Sequence, residues 1–133
     1  MSSDETFTIR ELCDAFNVTP RTLRFYEAKE LLSPIRQGTR RLFTRRDRAR
    51  LKLILRGKRF GFSLEDIRQL LDLYDRNDKN IAQMSRTYEI AQDRLAEMEA
   101  QRDDLDEAIA ELKEQLNWGA QLLASVKTPD KPE

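Results

Sequence analysis

The residue types that carry covalent or metal chemistry are almost missing from this chain, which has one cysteine, Cys13, and no histidine. A single thiol makes no intrachain disulfide and no metal-ligand spacing. No glycine-rich phosphate loop accompanies it, and no spaced pair of carboxylates sits in an apolar setting. Enzymatic catalysis is therefore not expected. What the residues do offer is recognition of a polyanion. The run Thr19-Pro20-Arg21-Thr22-Leu23-Arg24 puts two guanidiniums and two hydroxyls in under about two helical turns. Those donors read base edges in a major groove and hold the phosphates beside it.

The charge distribution agrees with that reading. The net charge is zero, but residues 1–62 hold 15 basic and 7 acidic side chains (+8) while residues 63–133 hold 9 and 17 (−8). Between residues 36 and 59 eleven basic side chains accompany a single acid, Asp47. One half of the chain can approach a polyanion that the other half repels.

Short helices must position these groups. Thr8 and Glu11 have capping-box spacing, and Ile9, Leu12, Cys13 and Phe16 follow as one apolar face, so a helix should start at Thr8. Cys13 lies within that face, where a small core residue is the simpler reading. After a turn at Asn17-Val18, Thr19 is an N-cap with proline at the first helical position, opening a second helix that runs to about Lys29. Leu23 and Tyr26 should face the first helix. Phe25 is as suited to packing as to a thymine methyl. Residues 32–43 read as a hairpin turning at Gln37-Gly38-Thr39, the candidate wing. Thr44 with Asp47 caps a third helix carrying Leu51, Ile54 and Leu55 and ending near Gly61. Ser63 with Asp66 caps a fourth, with Ile67, Leu70, Leu71 and Tyr74 on its inner face.

Residues 75–80 are polar and turn-prone. Beyond them Ile81, Met84, Tyr88, Ala91, Leu95, Met98, Arg102, Leu105, Ile109, Leu112 and Leu116 alternate spacings of three and four, the seam of a coiled coil. About 35 such residues make a rod roughly 50 Å long, more than the head can cover, so a second copy of the chain is the expected partner. Arg102 favours antiparallel pairing, because in a parallel pair the two guanidiniums would share one layer. Gly119 reads as the helix stop. The expected division is a head over residues 1–75, a dimerisation helix over 76–119 and a short tail over 120–133.

The segment FTIRELCDAFNVTPRTLRFYEAKELLSP, followed by RRLFTRRDRARLKLILRGKRFGFSLEDIRQLL, resembles the MerR family of bacterial transcription regulators over about residues 7–75. Glu30 stands where that family often has glycine, and Arg40 where tyrosine is common. The resemblance implies a mainly α fold: a winged helix-turn-helix head followed by a long antiparallel coiled-coil dimerisation helix, which accounts for residues 79–118. It implies a homodimer on a pseudo-palindromic site in double-stranded promoter DNA, with RNA polymerase as a further partner; many members distort the promoter, others repress. Carried over residue by residue, it places Thr19, Arg21, Thr22 and Arg24 at base edges or nearby phosphates and Tyr26 on the backbone through its hydroxyl. Arg41 of the wing and Lys58 of the third helix fall on flanking phosphates. Dimerisation falls to Ile81, Met84, Tyr88, Leu95, Met98, Leu105, Ile109, Leu112 and Leu116.

Metal- and redox-sensing members carry cysteines that are absent here, and drug-sensing members append a domain, whereas 14 residues follow Gly119. No metal or cofactor is expected, and a small ligand would sit near Tyr74, Tyr88 and Trp118. The rival class, an adaptor coiled coil with a basic head, has no need of the order seen from Thr19 to Arg24. Without an apolar run long enough to span a membrane or a secretion signal, the expected location is cytoplasmic.

Overall fold

Thr8 serves two elements at once in the computed structural model, which describes residues 5–75 and 81–127. It ends a three-residue strand, β1 (Thr6–Thr8), and caps α1 (Ile9–Phe16). Its hydroxyl accepts the Glu11 N–H at 3.1 Å while the Glu11 carboxylate accepts the Thr8 N–H at 2.8 Å, a complete capping box. α1 stops at Asn17, whose left-handed backbone (φ 54°) is one that asparagine tolerates better than most residues. α2 (Pro20–Ala28) follows, then β2 (Ile35–Gln37), β3 (Arg40–Thr44), α3 (Arg45–Phe60), α4 (Leu64–Asp75) and α5 (Ile81–Lys127). The strands form an antiparallel sheet in the order β1-β3-β2, with Phe7 opposite Phe43 and Arg36 opposite Arg41. The hairpin turns at Gly38, whose φ of 61° favours glycine.

β1 is not visible in the sequence. Three residues are too few for an alternation to show, and this strand exists only because β3 supplies its partner across more than thirty residues of chain. The wing is otherwise where the turn chemistry puts it.

The core unites the four helices of the head with β3 and the loop after α2. Leu12, Leu23, Leu31, Leu32, Phe43, Leu51, Ile54, Ile67 and Leu71 are essentially inaccessible, and each such burial contributes about 1.5–3 kcal/mol. α4 approaches α3 closely at Gly57, where a Cβ would stand 2.8 Å from Ile67 Cγ1. The fourth helix keeps its expected inner face at Ile67 and Leu71, but Tyr74 is 66% exposed. Spacing tells which side of a helix a residue takes; it does not tell whether a neighbour reaches that far.

One acid belongs to this core. Asp47 is 1% exposed and accepts hydrogen bonds from the Thr44 N–H (3.0 Å), the Thr44 hydroxyl (3.1 Å) and the Ser33 N–H (2.9 Å). It thus completes the N-terminal box of α3 and ties the loop after α2 to that helix. Asp47→Ala strips partners from two backbone donors in a part-buried site, so we expect a loss of about 2–4 kcal/mol in urea unfolding. A loss under about 0.5 kcal/mol would show that water replaces the carboxylate freely.

Glu30 takes a left-handed conformation (φ 62°), the region where glycine is at ease and other residues are strained. The glycine for which it substitutes is thereby explained.

The described residues fall into two compact units, the first ending at Ala91 and the second starting at Gln92. α4 ends at Asp75, and the opening of α5 belongs with the first unit, where Gln83 Nε2 donates to the Gln69 carbonyl at 3.3 Å. Residues 76–80 and 128–133, where a linker and a frayed tail were expected, lie outside the described residues. Gly119 does not stop the helix: α5 runs through it to Lys127. A glycine inside a helix costs only about 1 kcal/mol, and the flanking residues, including Ala120, Leu122 and Leu123, are good helix formers. Among the described residues no helix is long and apolar enough to cross a membrane.

Candidate nucleic-acid interface

Proline lacks an N–H and holds φ near −65°, so Pro20 opens α2 without loss. The Thr19 hydroxyl caps the helix by accepting the Thr22 N–H at 3.2 Å, and it lies 3.0 Å from the Thr22 hydroxyl. Two hydroxyls carry two protons and only one can lie between their oxygens, so one O–H remains to donate outward. Leu23 and Tyr26 turn into the core, which sends Arg21, Arg24 and Phe25 to the opposite side of the helix, all exposed. Neither Arg21 nor Arg24 forms an ion pair among the described residues. Five predicted contact residues, Thr19, Arg21, Thr22, Arg24 and Tyr26, are thus gathered on one short helix.

Tyr26 is 4% exposed, so its ring is a core element and only its edge remains for a partner. Burial pushes its phenol above the ordinary tyrosine value, which keeps the hydroxyl a donor. Phe25 packs against Tyr26 with ring centroids 5.7 Å apart, and Lys29 Nζ lies 5.7 Å from the Phe25 centroid. Packing therefore accounts for part of Phe25, while its outer edge stays exposed.

The wing is tied to α2 by an acid that the sequence reading did not single out. Glu27 Oε1 accepts Arg41 Nε at 2.6 Å, and its Oε2 accepts Arg36 Nη2 at 2.8 Å and Nε at 3.2 Å. Arg36 on β2 and Arg41 on β3 are cross-strand neighbours, so one carboxylate clamps both strands of the wing to the recognition helix. Arg41 consequently spends its Nε inside the head and retains its terminal nitrogens. Separations of nine and fourteen residues leave no local signature; the available signal was one acid within TLRFYEAK facing a basic hairpin. Desolvation raises the Glu27 pKa, but the hydrogen bonds and charges of Arg41 and Arg36 outweigh it and hold the carboxyl below the ordinary value. Its folded pKa being depressed, the clamp stabilises the head above the ordinary glutamate range, and this contribution is lost as pH falls through the lowered value. Glu27→Gln should cost about 1–2 kcal/mol at neutral pH and weaken DNA binding, with the gap from wild type closing in acid. A gap that is constant down to pH 3 would contradict the clamp.

Lys58 is exposed in the last turn of α3, next to Arg59, where the helix dipole favours positive charge. Cys13 is 8% exposed within the core. Burial, reinforced by Asp14 and opposed by Arg24, pushes its thiol above the ordinary value, so the nucleophilic thiolate is disfavoured. Among the described residues no group of three or more His, Cys, Asp or Glu side chains is placed to hold a metal ion.

Residues 7–74 match the family described as MerR HTH family regulatory protein, and residues 48–115 the one described as MerR, DNA binding. The HTH-type transcriptional regulator ZntR of Escherichia coli is 39% identical over 101 residues, covering 74% of this chain and 70% of its own length. HmrR of Rhizobium leguminosarum bv. viciae, also an HTH-type transcriptional regulator, is 33% identical over 100 residues, covering 74% and 75%. The crystal structure of HiNmlR, a MerR family regulator lacking the sensor domain and bound to promoter DNA, aligns with a TM-score of 0.67 at 26% identity, covering 96% of this chain and 98% of that one.

With α2 presented outward, a wing clamped to it and relatives that are transcriptional regulators, the chain is a winged helix-turn-helix DNA-binding transcription regulator. It belongs to the MerR family.

Proposed function

We propose that the chain binds a pseudo-palindromic promoter site as a homodimer, each copy placing α2 in a major groove, and that it regulates transcription by distorting that promoter for RNA polymerase. The observation that carries this reading is the division of α2, with Leu23 and Tyr26 inward and Arg21 and Arg24 outward and exposed. Arg21 and Arg24 read base edges bidentately, and Thr19 and Thr22 contribute their spare O–H to a base edge or phosphate. The Tyr26 hydroxyl, the terminal nitrogens of Arg41 and the ammonium of Lys58 take backbone phosphates and so set register.

Dimerisation is supported by α5. Ile81, Met84, Tyr88, Leu95, Met98, Leu105, Ile109, Leu112 and Leu116 are between 37% and 73% exposed in the single chain, an apolar row larger than soluble monomers leave uncovered. A second copy, antiparallel, buries that row. Arg102 is compatible with the seam, since its stem can lie along it while its guanidinium reaches Asp103 at 3.3 Å.

Selection of bound fragments from random duplex DNA tests the proposal. Enriched sites should be inverted repeats whose half-site centres are about 34 Å apart, or a multiple of that. Absence of enrichment, or enrichment of one unrepeated element, would contradict it.

A further inference from the structure

The candidate interface leaves most of α3 unused. That helix holds eight basic residues and one acid, the buried Asp47. Arg46 (2.7 Å) and Arg50 share the carboxylate of Asp75, and Arg50 also donates to the Leu31 carbonyl at 2.8 Å. The others divide by helical phase. At 100° per residue Arg45, Arg48, Lys52, Arg56 and Arg59 fall within an arc of about 80°, opposite the buried Ile54, and extend about 21 Å along the axis. Lys58 lies about 120° away from the centre of that arc. All five are exposed. Arg45 meets Glu5 at 3.7 Å across two well-exposed side chains, and Arg48 stacks its guanidinium carbon 5.5 Å from the Phe16 centroid and 5.7 Å from that of Phe7. Lys52, Arg56 and Arg59 form no ion pair among the described residues.

Like charges three and four residues apart repel one another, and although Arg48 covers the Phe7 and Phe16 rings and Arg45 meets Glu5, no contact within the head among the described residues accounts for Lys52, Arg56 and Arg59. The row also lacks the apolar centre that a protein interface is built around: every side chain within its arc is basic, and the nearest apolar ones, Ala49, Phe60 and the part-buried Leu55, lie outside its edges. A cationic row without an apolar core suits a phosphate backbone. It lies on the outward side of α3, apart from the face that Lys58 occupies.

We propose that the Arg45–Arg48–Lys52–Arg56–Arg59 row of α3 holds the phosphate backbone of duplex DNA flanking the half-site read by α2. The inference rests on the operator reading above. It makes the head a two-surface clamp: α2 and the wing supply sequence, and α3 adds sequence-independent grip on the same molecule beyond the site.

The test compares the full-length protein with K52Q/R56Q/R59Q on two duplexes containing the selected operator, one ending at the half-sites and one extended by about two helical turns on each side. The substituted residues are exposed and form no ion pair among the described residues, and unchanged thermal unfolding confirms the fold. Wild type should bind the extended duplex about tenfold more tightly than the short one, with a steeper salt dependence. The triple variant should lose that advantage and about two units or more of salt slope, while binding the short duplex within about twofold of wild type. A second equivalent of short duplex bound per head would place the DNA in trans and overturn the flanking assignment. Equal loss on both duplexes would put the row inside the operator contact and also overturn it. If the variant matches wild type on both, the row serves an acidic protein surface instead. Wild type that prefers the operator over scrambled sequence but ignores duplex length sinks this inference alone, whereas wild type with no preference on either duplex sinks the operator reading and this inference with it.

Discussion

Leu95→Glu together with Leu105→Glu is expected to yield a monomer at micromolar concentration by sedimentation and to weaken binding to the full operator at least about a hundredfold. Each leucine is more than half exposed in the single chain, so the double variant leaves the head's core untouched and its far-ultraviolet spectrum and head unfolding should persist. In the pair, each substitution removes a burial of about 1.5–3 kcal/mol from both copies and adds a carboxylate to the seam. Loss of the second head then forfeits the effective concentration that makes one arm help the other, a gain of about 10²–10⁴ when both engage. A double variant that stays dimeric, or that binds as tightly as wild type, would contradict the proposed interface.

The register of that interface has a charge constraint. Leu123 and Val126 continue the three-four spacing past Gly119, and α5 remains helical there. A symmetric antiparallel pair over residues 81–126 would centre between 103 and 104, bringing the two Arg102 guanidiniums within about a turn of each other. Pairing over 81–116 centres near 98 and sets them well apart. Like-charge repulsion therefore favours the shorter overlap, leaving Leu123 and Val126 outside the symmetric seam.

The second large effect concerns base reading. Arg21→Ala and Arg24→Ala should each cost about 1–3 kcal/mol on the selected operator and relax preference at one position of each half-site. Both side chains are exposed and form no ion pair among the described residues, so the protein's own stability should hardly change. Lys58→Ala should weaken all sequences alike and lower the salt slope by about one unit. Competition binding over single-position operator variants separates these outcomes. Identical effects from all three substitutions would contradict the division between base and phosphate contacts.

Local chemistry explains which parts of this structure are legible in the sequence. Thr8 with Glu11, Thr19 with Pro20, Thr44 with Asp47 and Ser63 with Asp66 each mark a helix start because the capping partners lie three residues apart or fewer, and each forms in the structure. Gly61, with φ 81°, ends α3 for a similarly local reason. The Arg21 and Arg24 face follows from helical phase once Leu23 and Tyr26 are taken as core.

The features that escape depend on distant partners. β1 exists only against β3, and Glu27 gains its role from Arg36 and Arg41 on two strands folded back over α2. Asp47 was legible as a cap; its bond to Ser33 was not. Gly119 misled because one glycine is a weak stop when helix formers follow. Tyr74 misled because an apolar phase does not ensure that a neighbour is present to bury it.

The central claim is that two copies read two arms of one site through α2, and stoichiometry with affinity tests it most directly. Wild type should be titrated onto duplexes carrying the full inverted repeat or a single half-site in otherwise identical flanks, with the mass of each complex measured by sedimentation. Two chains per full-site duplex, and binding at least about a hundredfold weaker to the half-site, are the predicted result. One chain per duplex, bound equally tightly to either DNA, would contradict the account.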